Sequence, residues 1–158
     1  MSPVVGKLLF TLVFVTITVA KYQLIKVEVK TEIDGVTMKR FTKEEMAKHD
    51  ASDPDLPIYL GFKGVVFDVT KGKHFYGKES EYNKLVGKDA SRAHALWSLD
   101  EKDMIHDLSG LNDNQLEGLD EVYKGTYLAK YPIVGYMDYL IDQQSPEIRD
   151  KFGGKDEL

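Results

Sequence analysis

The stretch from Val65 to Ala93 constrains this chain more than any other. A β-branched run, VVFDVT, leads directly into a turn-rich segment with two tyrosines, Tyr76 and Tyr82, six residues apart. KDASRA follows, with Asp89 placed to cap a helix. Just upstream lies a second strand-like run, PIYLGF, separated from VVFDVT by Lys63-Gly64. Two such runs joined by a short connection containing glycine predict a β-hairpin over Pro57–Thr70.

The flanking segments extend this frame. Tyr22 to Lys30, YQLIKVEVK, alternates apolar and polar residues, which predicts an extended lead-in or an edge strand. Thr42 with Glu45 forms a capping box that opens a short helix, and Pro54 and Pro57 close that region. Tyr76 to Leu108 reads as short helices broken at Gly77, Gly87 and Ser98–Asp100. Asn112 with Gln115 opens a longer helix, on which Leu116, Leu119, Val122 and Tyr123 share one face. YPIVGY, Tyr131 to Tyr136, returns as a strand beside the hairpin. Beyond Met137 the chain turns polar and is expected to form a loosely held tail.

At 158 residues with 42% apolar and 30% charged content, the chain suits one soluble domain. A net charge of −5 and the lack of a dense Lys/Arg cluster argue against nucleic acid as a partner. Lys7 is the only charge in the first twenty residues, and Leu8 to Ala20 is an uninterrupted apolar run. Thirteen helical residues span about 20 Å, short of a bilayer core of roughly 30 Å. The segment 1–20 therefore reads as a cleavable signal peptide, the alternative being an uncleaved anchor that would tie the protein to a membrane. Lys155, Asp156, Glu157 and Leu158 spell the endoplasmic-reticulum retrieval signal, which implies the lumen as location and the KDEL receptor as partner. With no cysteine, neither a disulfide nor thiolate chemistry is available.

The motifs PIYLGFKGVVFDVTKGKHFYG, SLDEKDMIHDLSGL and AKYPIVGY, in this order, carry a family likeness. The chain resembles the membrane-associated progesterone receptor family of cytochrome b5-like haem-binding domains, nearest its neudesin branch. The likeness covers roughly Arg40 to Tyr136. It implies an α+β fold, a small mixed sheet with short helices forming a haem cleft. The domain would occupy 40–136, between a lead-in at 21–39 and a tail at 137–158. Carried over residue by residue, the resemblance makes Tyr82 the axial ligand of the haem iron. Tyr76 becomes a supporting tyrosine, with Lys130 and Tyr131 as the supporting Lys-Tyr pair. Phenolate is a hard anionic donor that favours ferric iron. From the residues alone, Tyr76, Tyr82 and Tyr131 read better as aromatic core residues with solvated hydroxyls, since nine tyrosines make such placement easy by chance. One departure from the family is that Glu79 and Glu81 flank Ser80, where Gly or Pro is usual.

Other site readings are weaker. Gly72 to Lys78 matches the start of a P-loop, but Glu79 stands where a magnesium-binding Ser or Thr is needed. His49, His74, His94 and His106 lie in separate polar surroundings without ligand spacing, and read as exposed or singly hydrogen-bonded. KHFYGKES replaces the His-Pro-Gly-Gly turn of cytochrome b5 proper, so bis-histidine electron transfer is not expected. No nucleophile-base pair, metal motif or nucleotide site supports an enzyme. The reading is a non-catalytic luminal haem-binding protein that handles haem or regulates a partner, with haem promoting a homodimer. The alternative is a secreted signalling factor of neudesin type. Phe67, Val69, Leu85, Leu96 and Val134 are the expected core, and the helices from Tyr82 to Ala129 the expected wall of the cleft.

Overall fold

A computed structural model describes residues 21–153. The apolar segment 1–20 and the tetrapeptide Lys155 to Leu158 lie outside the described residues. The lead-in takes no regular secondary structure, and its residues alternate between exposed and half-buried except at Leu24 and Ile25, which are both half-buried. It joins no sheet. Instead Leu24, Val27 and Val29 lie on the core as a strap. A small hairpin follows, β1 (Glu32–Ile33) and β2 (Val36–Thr37), and then β3 (Lys39–Phe41). α1 (Lys43–Ala47) begins at the expected capping box, with Thr42 N donating to Glu45 Oε2 at 2.7 Å and Glu45 N to Thr42 Oγ1 at 3.2 Å.

β4 (Tyr59–Phe62) and β5 (Val65–Asp68) pair antiparallel, Leu60 opposite Phe67 and Phe62 opposite Val65. Lys63 and Gly64 both have positive φ, 54° and 78°. That is the primed turn whose twist suits paired strands. Short helical pieces follow: 3-10 turns at Thr70–Gly72 and Glu81–Leu85, α2 (Lys73–Tyr76) and α3 (Ser91–Leu96). Asp89 is not the cap expected: the N-cap of α3 is Ala90, which makes no side-chain cap bond. The buried Asp89 carboxylate accepts from Ser91 N at 3.0 Å, Gly64 N at 2.8 Å and Tyr139 Oη at 2.6 Å, tying α3 to the hairpin turn and to the chain after the sheet.

α4 (Asp113–Val122) opens at the expected Asn112–Gln115 capping box. The longer helix foreseen there does not stay α-helical: Tyr123–Leu128 widens into a π-turn. This turn keeps Tyr123 and Tyr127 both buried, and Tyr131 N donates to Tyr127 O at 3.0 Å. β6 (Ile133–Met137) then enters the sheet beside the hairpin, as expected, antiparallel to β5 and parallel to β3. The four-stranded order is β3-β6-β5-β4, a mixed sheet. Gly135 is required where β6 meets β3, because a Cβ there would come within 2.1 Å of Lys39 O.

Phe67, Val69 and Leu85 are buried as foreseen. Leu96 and Val134 are only half-buried. Leu96 ends α3 immediately before Trp97, whose left-handed backbone turns the chain outward. Val134 lies on the smaller apolar cluster of Phe41, Met46, Val66 and Met137, not on the main core. The packed unit also exceeds the expected limits of 40–136. α5 (Asp138–Asp142) buries Ile141 completely, and α6 (Pro146–Lys151) precedes Phe152, whose ring meets Tyr136 edge-on. The loosely held tail is thus corrected to two packed short helices for the described part of 137–158. Among the described residues, no helix is long and apolar enough to cross a membrane.

Candidate functional site

A cleft of about 430 Å³ opens among the helical pieces. Three segments line it. The turn after α2 supplies Glu81, Tyr82 and Leu85, α3 and its exit supply His94 and Trp97, and the wide turn supplies Thr126 and Tyr127. The helices were expected to form one wall; they supply most of the lining, completed by Ser98 and Leu99 in the segment after α3. The sheet lies behind it, with Phe62 4.9 Å and Phe67 5.5 Å, ring to ring, from Tyr127.

Tyr82 lies on the cleft with 41% of its surface exposed. Tyr76 lines the same cleft but is buried, and burial pushes its phenol up to about 12. It therefore stays protonated at physiological pH. Tyr131 is half-buried and packs edge-on against Tyr76 at 6.1 Å, away from the lining. Lys130 is exposed at the end of the wide turn and is not part of the cleft lining. The structure thus brings Tyr76 and Tyr82 together, seats Tyr131 behind Tyr76, and leaves Lys130 outside. Glu81 lines the cleft, whereas Glu79 adopts φ 70°, the left-handed conformation that glycine at this position would take without strain.

His94 escaped the sequence reading. Its surroundings are not polar: Ala93 and Ala95 flank it, and Phe62 packs at 4.6 Å. Nor is it exposed or singly bonded. Nδ1 contacts Ala90 O at 2.8 Å, and Nε2 contacts Tyr127 Oη at 2.7 Å. Burial holds its pKa below the ordinary value, opposed by the backbone bond to Ala90 and the charge of Asp89. The run of small residues around His94 was the available signal. The other histidines are ordinary: His49 bonds Pro57 O and stacks on Tyr59, His106 stacks on Tyr139, and His74 is exposed against Phe75. The P-loop-like residues form a 3-10 turn and α2, with Gly72 tight against Tyr76 and Tyr131.

The model of the cytochrome b5-like heme/steroid binding domain matches residues 42–138. The chain belongs to that family. An Arabidopsis thaliana "probable steroid-binding protein 3" is 42% identical over 95 residues, covering 60% of this chain and 94% of its own. Human "membrane-associated progesterone receptor component 2" is 37% identical over 108 residues, 66% of this chain and 48% of that protein. This chain therefore spans about half the length of the membrane-associated relatives. A solved Arabidopsis thaliana protein described as having a cytochrome b5-like fold superposes with a TM-score of 0.58 at 40% identity. It covers 63% of this chain and 91% of its own. The α+β cytochrome b5-like fold and the membrane-associated progesterone receptor group hold as expected.

The cleft fits a flat aromatic ligand such as haem. Its volume falls within the roughly 300–1,000 Å³ of small-molecule sites, and its lining is mainly apolar and aromatic with few polar groups. Among the described residues no cluster of three His, Cys, Asp or Glu side chains is placed to hold a metal. Both nitrogens of His94 are already engaged, and the remaining side-chain oxygens of the lining belong to Glu81, Ser98, Thr126 and the phenols of Tyr76, Tyr82 and Tyr127.

Proposed function

We propose that this chain is a non-catalytic binding protein that takes ferric haem into the cleft, with the Tyr82 phenolate as iron ligand. The observation that carries this reading is Tyr82 itself, a part-exposed phenol on the lip of an aromatic cleft with a second, protonated phenol beside it. Tyr76 and Tyr131 brace that wall. Lys130, exposed outside the lining, supplies a cation of the kind that suits a propionate. Bound there, haem would supply a ferric centre with one open coordination position. Several relatives are named for steroids, and a flat, apolar steroid skeleton suits the same lining. That makes a steroid the competing ligand.

Two further parts belong to the proposal. Segment 1–20 directs the chain into the secretory pathway, and Lys155 to Leu158 return it to the reticulum through the KDEL receptor. Trp97, 82% exposed on the cleft lip, gives the mouth an apolar contact for a protein partner or a second haem-loaded copy. The same exposed face supports the alternative of a secreted neudesin-type factor.

The test is a haemin titration of the purified protein followed by absorbance. The expected product is a five-coordinate, high-spin ferric spectrum, with retention weakened on reduction because ferrous iron suits an anionic oxygen ligand less well. Tyr82→Phe keeps the ring and removes the oxygen, so haem uptake should be lost while the circular dichroism spectrum is unchanged. Uptake by that variant with an unaltered spectrum would move the ligand elsewhere, to His74 first.

A further inference from the structure

Three side chains form a continuous hydrogen-bonded chain from α3 to the cleft, and its direction is fixed at one end. Ala90 O can only accept, so the 2.8 Å contact places the proton of His94 on Nδ1. The neutral ring, favoured by burial, then has only a lone pair on Nε2, and Tyr127 must donate its hydroxyl proton to it across 2.7 Å. The oxygens of Tyr76 and Tyr127 lie 3.2 Å apart. With the Tyr127 proton already committed, only the Tyr76 hydroxyl can close that contact, and the other phenol beside it, Tyr131, also lies on the side away from the cleft lining. A phenol has one proton. Tyr76, which lines the cleft, therefore directs its proton inward and has only acceptor capacity left for anything bound beside it.

We infer that His94 is a specificity-determining residue: acting through Tyr127, it makes Tyr76 a hydrogen-bond acceptor, so the cleft selects ligands that present a hydroxyl there over those that present a carbonyl. This rests on the cleft being a ligand site, and it deepens that reading by naming the polarity the ligand must have. A carbonyl set against the Tyr76 oxygen brings two acceptors together and leaves both desolvated without a proton between them. A hydroxyl satisfies the pair. Sites built to hydrogen-bond one polarity reject the other strongly, because the mismatch leaves buried polar groups unpaired. His94 also lines the cleft, but its effect on the Tyr76 proton is exerted through Tyr127. It is a positioning residue, and its effect is on which ligand is chosen more than on whether one binds.

The sole tryptophan, Trp97, lies on the cleft lip and reports occupancy by its fluorescence. Two probes with the same saturated steroid skeleton, androstan-3β-ol and androstan-3-one, differ only in hydroxyl against ketone. At pH 8 the wild-type protein should bind the alcohol about tenfold more tightly, an unpaired buried acceptor being worth that factor. His94→Leu removes the acceptor that commits the Tyr127 proton, and Tyr127→Phe removes the hydroxyl that receives the Tyr76 proton. Each should bring the ratio close to one. Equal binding of the two probes by the wild type, or a preference that survives both variants, overturns the inference. The direction of the chain is measured separately, without ligand, by the ¹⁵N shifts of the His94 ring: a protonated Nδ1 with a bare Nε2 supports it, and a protonated Nε2 overturns it. If neither probe binds, the ring tautomer still decides the hydrogen-bond direction, the selection of ligands is overturned for steroids, and the haemin titration alone decides whether the cleft binds haem.

Discussion

At the scale of single residues, the buried imidazole of His94 makes stability depend on pH. In the unfolded chain histidine titrates near 6.5; in the native state burial holds His94 below that. As pH falls through the interval between the two values, the unfolded chain takes up a proton that the native state refuses. The contribution is fully present above the unfolded value and is lost as pH falls, with a slope of at most about 1.4 kcal/mol per pH unit. Urea midpoints measured from pH 7.5 down to 5 should decline for the wild type, and His94→Leu should flatten that part of the profile. An unchanged slope would show that other groups dominate acid sensitivity. The two phenols were legible in the sequence because they stand at fixed places in a motif. His94 was not, since its role depends on Tyr127, 33 positions away. No local pattern reports such a pair.

At the scale of elements, signals confined to a few neighbouring residues translated directly. The primed turn at Lys63-Gly64 and both capping boxes formed where they were read. Features set by distant partners did not: the π-turn arises where two buried tyrosines meet the back of the sheet, and the polar-looking segment after Met137 contributes Ile141 to the core. The lead-in is the clearest case. Period two announced its alternating burial, but the groups that hold it lie elsewhere. Tyr22 Oη and Ile25 N donate to Asp120 Oδ2 at 2.9 and 2.7 Å. Lys63 Nζ donates to Ile25 O at 2.7 Å and pairs with Asp120 itself. The Lys63 and Asp120 side chains are 6% and 2% exposed, so this ion pair is buried. Asp120→Ala would leave the Lys63 ammonium buried without its partner, a loss of about 3–5 kcal/mol in a denaturant titration. A loss below about 1 kcal/mol would show the pair to be screened by water after all.

At the scale of the whole molecule, the order of strands was readable because the motifs that carry the family likeness hold β4, β5 and β6, whereas most of the cleft lining falls between those motifs. Where the packed unit begins and ends was less readable, because strap and carboxyl-terminal helices use generic apolar residues placed by tertiary contact. Location has its own test. Removing Lys155 to Leu158 from the expressed protein should shift it from the cell to the medium, measured by immunoblot of both fractions. Equal retention of the shortened and full-length chains would assign retention to segment 1–20 acting as an anchor.

In a chain without cysteine, the knot at Asp120 joins Tyr22 to a residue 98 positions later, the kind of long-range tie that a secreted domain ordinarily makes with a disulfide. Unlike a disulfide, it lets go under load. Tension applied upstream of Tyr22 reaches α4 through Asp120, and α4 runs directly into the wide turn that carries Tyr127. A pull on that end of the polypeptide is therefore shared between α4, which leads to the mouth of the cleft, and the hairpin turn, which Lys63 ties into the same knot.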